Sequence, residues 1–450
     1  MSQLPDRAAT APDAGSPAFR LYDLATGDDD ARLCRDIPDD QCQEQAHNFV
    51  YQVTAQALSK VGDTLTDAKV VLPWLLGAIG APPSLVVLLV PIRESLALLP
   101  QMLVGSYIRR FPVRKGWWVA SSVVEGLAIL AMAGVAFAGL RGETAGWIII
   151  ALLTLFSVAR GIASIAAKDT MGKTISKGRR GRVSGHAATA SGLVAAGVGL
   201  YLAISPEQAR PEWLLYAMIV VAGLSWLIAA AAVHGIEEYP GATDGGRSIA
   251  SLARDQLMLL ARDRELQKFL AARALLLSTA LVGPLYVSLA QRTTGQGLDG
   301  LGWLVLAAGL AAMLSSSFWG GLSDRSSRLA MALAAAVASV LGFAVLAALA
   351  FAPEMTENYL FFGAVLFLLN VAHAGVRIGR KTHVVDLAGG DRKAEYVALS
   401  NSVIGILLLV VGALVSALLM FGIETAIAVL SAFALLGAVM AMSMRHAQAD

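Results

Sequence analysis

The sequence predicts an all-α integral membrane protein with twelve transmembrane helices in two pseudo-symmetric six-helix bundles. Of its 450 residues, 56% are hydrophobic and only 15% are charged, which is too much apolar surface for a soluble protein of this size. Twelve long apolar segments follow one another, and lysine and arginine collect in every second connection between them. The formal net charge of +2 gives no global indication of a nucleic-acid partner.

Twelve segments are long enough to cross a bilayer, because a helix needs about 20 apolar residues for a hydrocarbon core about 30 Å thick. We call them spans 1 to 12, and they cover residues 52–80, 84–108, 117–140, 146–167, 185–204, 213–234, 267–290, 300–322, 328–351, 358–379, 396–420 and 422–444. Span 1 contains a polar stripe, in which Lys60, Asp63 and Asp67 recur at helical spacing. This stripe is expected to face the interior of the protein.

The distribution of lysine and arginine predicts the orientation in the membrane. The connections after spans 2, 4, 8 and 10 are rich in these residues: Arg109, Arg110, Arg114, Lys115, Lys173, Lys177, Arg179, Arg180, Arg182, Arg325, Arg328, Arg380, Lys381, Arg392 and Lys393. The connections in between hold only Arg141, Arg210 and Arg292. Because cytoplasmic loops are enriched in lysine and arginine, both termini are predicted to lie in the cytoplasm. The expected location is the inner membrane of a bacterium.

The chain is predicted to have five regions, which are a disordered tail 1–46, a first bundle 47–234, a linker 235–266, a second bundle 267–444 and a tail 445–450. Apolar residues recur at helical spacing between Ile249 and Leu260 of the linker, which predicts an interfacial amphipathic helix. Cys34 and Cys42 lie in the first tail, where cytoplasmic thiols stay reduced, and their spacing matches no zinc pattern. No metal or other cofactor is therefore expected.

The two halves of the chain carry similar motifs on the same side of the membrane. Span 2 is followed by GSYIRRFPVRK and span 8 by GGLSDRSSR, and the second copy reads GxxxDRxxR. Aligning the first glycines gives the matched positions, which are Gly320, Asp324, Arg325 and Arg328 in the second copy and Gly105, Arg109 and Arg110 in the first. The repeat is faint, but its order along the two halves is the same.

Twelve spans in a six-plus-six arrangement, a cytoplasmic central loop and the GxxxDRxxR motif resemble the major facilitator superfamily of secondary transporters. The resemblance implies a cytoplasmic gating motif whose Asp and Arg contacts are remade as the two halves rock. It also implies that spans 1, 4, 7 and 10 line a central cavity, so that the substrate path would be faced by Asp67, Arg160, Arg273 and His373. The first copy departs from the family pattern, because Arg109 stands where the family usually has Asp. This departure argues against an Asp-based latch on that side.

Several ionisable residues are predicted deep in the membrane, where each costs a few kcal/mol unless it faces a partner or a watery cavity. At about 1.5 Å per residue, Asp67 lies roughly 18 Å from the periplasmic end of span 1, and Arg93 and Glu94 lie about 14 to 15 Å from that of span 2. Glu125 lies at mid-depth in span 3, and Arg160 of span 4 lies at a depth close to that of Asp67. We therefore expect contact between Asp67 and Arg160.

These membrane charges have two competing interpretations. The carboxylates Asp67, Glu94 and Glu125 are candidates for proton coupling, since each can exchange a proton with a central cavity. The candidates for cavity or substrate contacts are Arg93, Arg160, Arg273, His373 and Asn401. Alternatively, buried ion pairs hold helices together. This structural role is favoured for Glu125 and, with snorkelling near the cytoplasmic edge, for Lys60, Asp63 and Arg377.

The sequence contains no GxxxxGK[ST] loop and no nucleophile-and-base arrangement, so neither an ATP-driven pump nor an enzyme is expected. The predicted function is secondary active transport of a small solute by alternating access, coupled to protons. Acidic and basic cavity candidates together favour a polar solute that is anionic or zwitterionic. The expected partners are the solute, protons and the lipid bilayer, with no nucleic acid and a monomeric chain. Two alternatives stay open, which are a non-transport assembly factor or sensor and a lipid flippase.

Overall fold

The computed structural model describes residues 20–22, 44–99, 104–105, 107–209, 211–241, 243, 249–295, 297–388 and 393–445. All regular secondary structure in these residues is helical. Cys34, Cys42 and most of the first tail lie outside the described residues, as does the end of the chain from residue 446. The expectations for the two tails therefore stay predictions.

The first bundle contains spans 1 to 6. Span 1 is formed by two helices, Gln45–Leu65 and Val71–Ala78. Spans 2 to 6 correspond to the helices Pro83–Leu98, Lys115–Phe137, Gly142–Thr174, Lys177–Ile204 and Trp213–His234. A further helix, Ile249–Arg262, lies in the linker where the amphipathic helix is predicted.

The second bundle contains spans 7 to 12. Span 7 has two segments, Arg264–Leu276 and Ser278–Thr294, on either side of Leu277. Spans 8 to 12 correspond to the helices Leu298–Arg325, Ser327–Phe351, Tyr359–Ala388, Lys393–Leu418 and Ile423–Met442. The helix of span 10 continues well past the predicted end at residue 379. Arg380 therefore belongs to this helix and not to the loop that follows it.

Ten of the described helices are long and apolar enough to cross a bilayer. Spans 1 and 2 are absent from these ten for local reasons. Span 1 is interrupted at residues 66–70, and the helix of span 2 ends at Leu98, just before residues 100–103, which are not described. The predicted fold of twelve helices in two bundles is confirmed.

Span 1 is broken between Leu65 and Val71, and the Asp67 side chain caps the backbone of this break. The Asp67 carboxylate accepts hydrogen bonds from the backbone N–H groups of Lys69 (2.8 Å) and Val70 (3.1 Å). A helix start leaves such N–H groups without an intrahelical partner, and in an apolar environment they need a side-chain acceptor. The chain can therefore interrupt its first transmembrane helix without leaving these groups unpaired.

The two bundles meet along two pairs of helices. Span 2 packs against span 11, and span 5 packs against span 8. Glycines allow these backbones to approach closely: a Cβ at Gly412 would lie 2.3 Å from Pro91 Cγ, and one at Gly302 would lie 2.4 Å from the backbone nitrogen of Ala203. Close packing at small residues is the main source of helix association in a membrane, where lipid is as apolar as the side chains.

The space between the bundles is closed at the membrane side where span 1 ends, which we call the far face; span 1 begins at the near face. At the far face, Trp74 is fully buried and its carbonyl accepts a hydrogen bond from Gln291 Nε2 of span 7 (3.0 Å). Tyr359 donates a hydrogen bond to the Thr294 carbonyl (2.8 Å). Gly300 lies between both rings, since its Cβ would be 2.4 Å from Tyr359 and 2.9 Å from Trp74. These contacts form a far-face gate.

Replacing Gly302 with valine should force spans 5 and 8 apart. An added side chain would meet the backbone of Leu202 and Ala203, which cannot turn aside as a flexible side chain can. Overpacking of this kind costs about 1 to 3 kcal/mol, so the unfolding temperature of the purified protein should fall by about 1 to 3 degrees. Gly134→Val is the matched control, because the space around its Cβ is open. Equal unfolding temperatures for the two variants would contradict this close contact.

Candidate functional site

Four charged residues from spans 1 to 4 form a cluster in the first bundle, with Asp63 at its centre. Asp63 Oδ1 accepts a hydrogen bond from Arg93 Nη2 (2.6 Å), and Asp63 Oδ2 accepts one from Arg160. Arg160 Nη1 also lies 3.7 Å from Glu125 Oε1. Two arginines and two carboxylates therefore balance one another across four helices. We call Asp63, Arg93, Glu125 and Arg160 the first-bundle charge cluster.

Arg93 ties the break in span 1 to this cluster. Besides Asp63, it donates to the Thr66 carbonyl (3.0 Å), which lies where the first helix ends and the regular hydrogen bonding stops. Its guanidinium also lies over the Phe156 ring, 5.1 Å from the ring centre, an arrangement that stabilises a cation away from water. Contacts with spans 1 and 4 thus fix the position of Arg93.

The predicted contact between Asp67 and Arg160 is wrong. Arg160 binds Asp63, one helical turn before Asp67, and for Asp63 the sequence favours only a structural or interfacial role. On an uninterrupted helix both aspartates would lie on the same face, so helical spacing alone does not indicate which of them binds Arg160. The break after Leu65 separates them, because it commits the Asp67 carboxylate to the backbone of the next helix.

Glu125 is the most deeply buried member of the first-bundle charge cluster. Its side chain is 0% exposed, and neither of its carboxylate oxygens has a hydrogen-bond partner among the described residues. The 3.7 Å contact with Arg160 is its one ion pair in that part of the chain. A carboxylate without hydrogen bonds in an apolar site is costly, and either a bound proton or a closer arginine relieves the cost. The position of Arg160 can therefore control whether Glu125 holds a proton.

A cavity of about 460 Å³ lies beside the cluster in the first bundle. Asp63, Arg93 and Arg160 line it, together with Glu94 and, towards the near face, Gln56. The side chain of Glu94 is exposed although it lies well inside the span 2 helix. Because Glu94 also lines the cavity, this exposure is to the space inside the protein.

In the second bundle, span 10 presents a row of basic residues. His373, Arg377 and Arg380 are spaced by four and then three residues, which puts them on one face of the helix. His373 Nδ1 forms a hydrogen bond with the Thr279 hydroxyl of span 7 (3.0 Å). Arg380 is within electrostatic range of Glu94 in the first bundle. The row therefore faces the space between the two bundles.

Arg273 lies inside the second bundle and is only 6% exposed. Its guanidinium donates to the Ser400 hydroxyl and to Asn401 Oδ1 (3.2 Å), both on span 11. Within the described ranges its Nε has no hydrogen-bond partner and no carboxylate forms an ion pair with it. The structure thus brings Arg273 and Asn401 together, with neutral oxygens as the only acceptors of the guanidinium there.

The GxxxDRxxR motif lies at the near face of the second bundle. Asp324 and Arg325 end the span 8 helix with exposed side chains, and neither forms an ion pair within the part of the chain that is described. Arg328 donates to the Met444 carbonyl (3.0 Å) at the end of span 12. In this conformation, the described contacts of the motif therefore stay inside its own bundle.

At the near face of the first bundle, Glu238 supplies the acidic group that Arg109 does not. Its carboxylate accepts hydrogen bonds from the backbone N–H groups of Arg114 (2.9 Å) and Lys115 (2.5 Å) and from Lys173 Nζ (2.7 Å). It thereby joins the end of span 6 to the start of span 3, where a helix N-terminus favours negative charge. No sequence pattern near the motif indicates Glu238, because this residue lies far from the motif along the chain. The remaining motif residues lie at the same face: Gly105, Arg110 and Gly320.

Replacing Asp63 with asparagine should destabilise the protein, because Arg93 and Arg160 would lose their shared counter-charge. Breaking a buried ion pair from one side costs roughly 3 kcal/mol. Asp67→Asn is the matched control, since an asparagine oxygen can accept the same two backbone hydrogen bonds. Thermal unfolding of the purified variants measures the difference, and equal losses of stability would refute the assignment of Asp63 as the centre of the cluster.

Comparison with known proteins supports the fold seen here. Residues 269–449 match the family model of the Major Facilitator Superfamily. No curated protein matches the chain by sequence. Among solved structures, a POT family transporter in complex with a thioalcohol-conjugated peptide has a TM-score of 0.67 and 9% identity, over 88% of this chain and 96% of that one.

Two further solved structures have the same fold. The D-xylose-proton symporter has a TM-score of 0.63 and 12% identity, over 89% of this chain and 99% of that one. The nucleoside transporter NupG has a TM-score of 0.62 and 12% identity, over 88% of this chain and 98% of that one. The second bundle thus resembles the Major Facilitator Superfamily in sequence, and both bundles share the fold of these solved transporters.

Proposed function

We propose that the protein is a secondary active transporter, which moves a small polar solute through the space between its bundles and couples that movement to protons. The observation that carries the proposal is the first-bundle charge cluster, in which Glu125 is buried without a hydrogen bond beside an arginine shared with Asp63. Solved proteins of this fold include a D-xylose-proton symporter, a nucleoside transporter and a POT family transporter. Their cargoes differ, so the fold alone does not indicate a solute.

The proton step uses the sharing of Arg160. With Glu125 ionised, the two arginines and two carboxylates of the cluster balance, and Arg160 is attracted to both Asp63 and Glu125. With a proton on Glu125, the cluster carries one excess positive charge, and Arg160 is held by Asp63 alone. Of the three carboxylates expected from the sequence, Glu125 suits this step best, because Asp67 is committed to the backbone and Glu94 is exposed to the cavity.

The break in span 1 gives this proton step a route to the second bundle. On one side of the break, Arg93 binds the Thr66 carbonyl. On the other side, Lys69 lies against span 7, where a Cβ at Gly283 would be 3.6 Å from that of Lys69. A change in the electrostatic attraction between Asp63 and Arg93 would therefore move the segment of span 1 that contacts span 7. Two distant sites in a protein are coupled when both influence the same structural element and that element has two arrangements.

Alternating access requires that the cavity open to one side of the membrane at a time. The far-face gate is closed here, and the cavity beside the cluster extends towards the near face, where it reaches Gln56 and Met171. The excess of lysine and arginine in the near-face connections supports a cytoplasmic near face and an inner-membrane location. This conformation would then receive or release solute on the cytoplasmic side.

The proposal is tested in proteoliposomes that contain a pH-sensitive dye, with sugars, nucleosides, short peptides and organic acids as the solute panel. We expect at least one solute to move protons across the membrane, and its accumulation to disappear when the proton gradient is dissipated. If no solute moves protons and dissipation changes no solute movement, the proposal is wrong. A protein that serves only in assembly would give this second result.

Glu125→Gln should uncouple solute movement from the proton gradient. A glutamine cannot release a proton, so gradient-driven accumulation should fall at least tenfold, while exchange of labelled for unlabelled solute without a gradient continues. Two controls keep the original response to the gradient: Glu424→Gln, an exposed carboxylate at the start of span 12, and Asp67→Asn, which preserves the cap. Gradient-driven accumulation at the wild-type level in Glu125→Gln would exclude Glu125 as the proton carrier.

A further inference from the structure

Lys69 lies at a contact between the two bundles. It belongs to the break of span 1, and its Cβ lies 3.6 Å from the Cβ position of Gly283 in span 7. Leu369 Cδ2 of span 10 lies 3.7 Å from the same position. Both distances are ordinary van der Waals separations, so Lys69 lies next to spans 7 and 10.

The basic row of span 10 begins beside this lysine. Leu369 and His373 are one helical turn apart, and Arg377 and Arg380 continue on the same face towards the near face. Lys69 is within electrostatic range of Arg377 and Arg380, and all three cations act on His373. Cations from both bundles therefore surround one part of the space between them.

These cations have no counter-charge in contact with them. Within the described ranges, the side chains of Lys69, Arg377 and Arg380 form no ion pair and no hydrogen bond. Two carboxylates act on these cations from a distance: Glu94 acts on Lys69 and Arg380 from across the space, and Asp67 acts on Lys69, but neither forms an ion pair within the described ranges. Arg273 is a further cation within electrostatic range of Arg380. Among the described residues, the hydrogen-bond acceptors of its guanidinium are neutral oxygens.

The first bundle provides the contrast. There Arg93 and Arg160 are matched by Asp63 and Glu125, as cations inside a membrane protein usually are. A group of cations that repel one another between helices is costly unless an anion joins them. Snorkelling to the membrane surface does not account for Lys69, which lies in the middle of span 1 against span 7. The three cations outnumber the two carboxylates that act on them, and this excess of unpaired positive charge points to an anionic ligand.

We propose that Lys69, Arg377 and Arg380 bind an anionic group, a carboxylate or a phosphate, of the transported solute. This inference rests on the proposed transport function and names its substrate class. Arginine offers paired N–H donors that match the oxygens of either group, and lysine adds a third donor from the opposite side. Such an anion would be held by both bundles at once, since Lys69 belongs to the first and the arginines to the second. Binding would then favour closure of the bundles around the solute.

The test measures equilibrium binding by the full-length protein in micelles of a neutral detergent without lipid. Inorganic phosphate and succinate are the probes, succinamide is the uncharged analogue of succinate, and sodium chloride keeps the ionic strength constant. We expect phosphate or succinate to raise the unfolding temperature by a few degrees in a saturable manner, and succinamide to leave it unchanged. If neither anion stabilises the wild-type protein, the proposal is wrong.

Variants of Lys69, Arg377 and Arg380 test whether the anion binds to these three residues. Arg380→Gln and Lys69→Gln should raise the anion concentration at half-maximal stabilisation at least tenfold, whereas Arg292→Gln, an exposed arginine at the far end of span 7, should leave it unchanged. Arg377→Gln replaces an exposed side chain, so anion binding can be measured on this variant if Arg380→Gln or Lys69→Gln fails to fold. The same half-maximal concentration in wild type and in the variants of Lys69, Arg377 and Arg380 would overturn the proposal.

Two features separate the possible outcomes. Phosphatidylglycerol added to the same micelles distinguishes a lipid headgroup from a soluble solute, and stabilisation by this lipid alone would overturn the proposal. The measurement needs no membrane and no gradient, so it is independent of proton coupling. Anion binding without proton movement in proteoliposomes would refute the proposed function and keep the site, whereas proton movement without anion binding would refute the site alone.

Discussion

The break in span 1 is the constraint on which the rest of the site depends. A transmembrane helix can be interrupted only where its free backbone groups find partners, and here Asp67 pairs with two N–H groups and Arg93 with the Thr66 carbonyl. The interruption follows Asp63 of the first-bundle charge cluster along the chain and contains Lys69, which contacts span 7. One local irregularity thus connects the part of the protein that can hold a proton with the part that faces the second bundle.

The two bundles differ in how far their charged side chains are paired at the cavity. The first bundle pairs its arginines with carboxylates, whereas the face of span 10 presents cations that the described residues leave unpaired. The far-face gate is built from aromatic rings, amide and hydroxyl hydrogen bonds and glycines.

The fold could be predicted from the sequence because long apolar runs and the placement of lysine and arginine are local signals. The site was only partly predictable. Glu125 and Arg160 stand out as charges in apolar segments, but the choice between Asp63 and Asp67 depends on a break that helical spacing does not indicate. Arg380 was assigned to a loop, because the sequence does not mark where span 10 ends. Glu238 binds residues distant in sequence, and that pairing exists only after packing.

The central claim is that a proton on Glu125 and an anion at span 10 act on one another through the break in span 1. Succinate binding measured from neutral to alkaline pH, where succinate stays a dianion, tests this linkage directly in wild type and in Glu125→Gln. A proton on Glu125 adds positive charge, so wild-type affinity should fall as pH rises, and by reciprocity the anion should favour proton uptake. Glu125→Gln should show a smaller decline than wild type, because only the remaining titratable groups of the site, such as Lys69, then respond to pH. The same decline in both proteins would contradict the account.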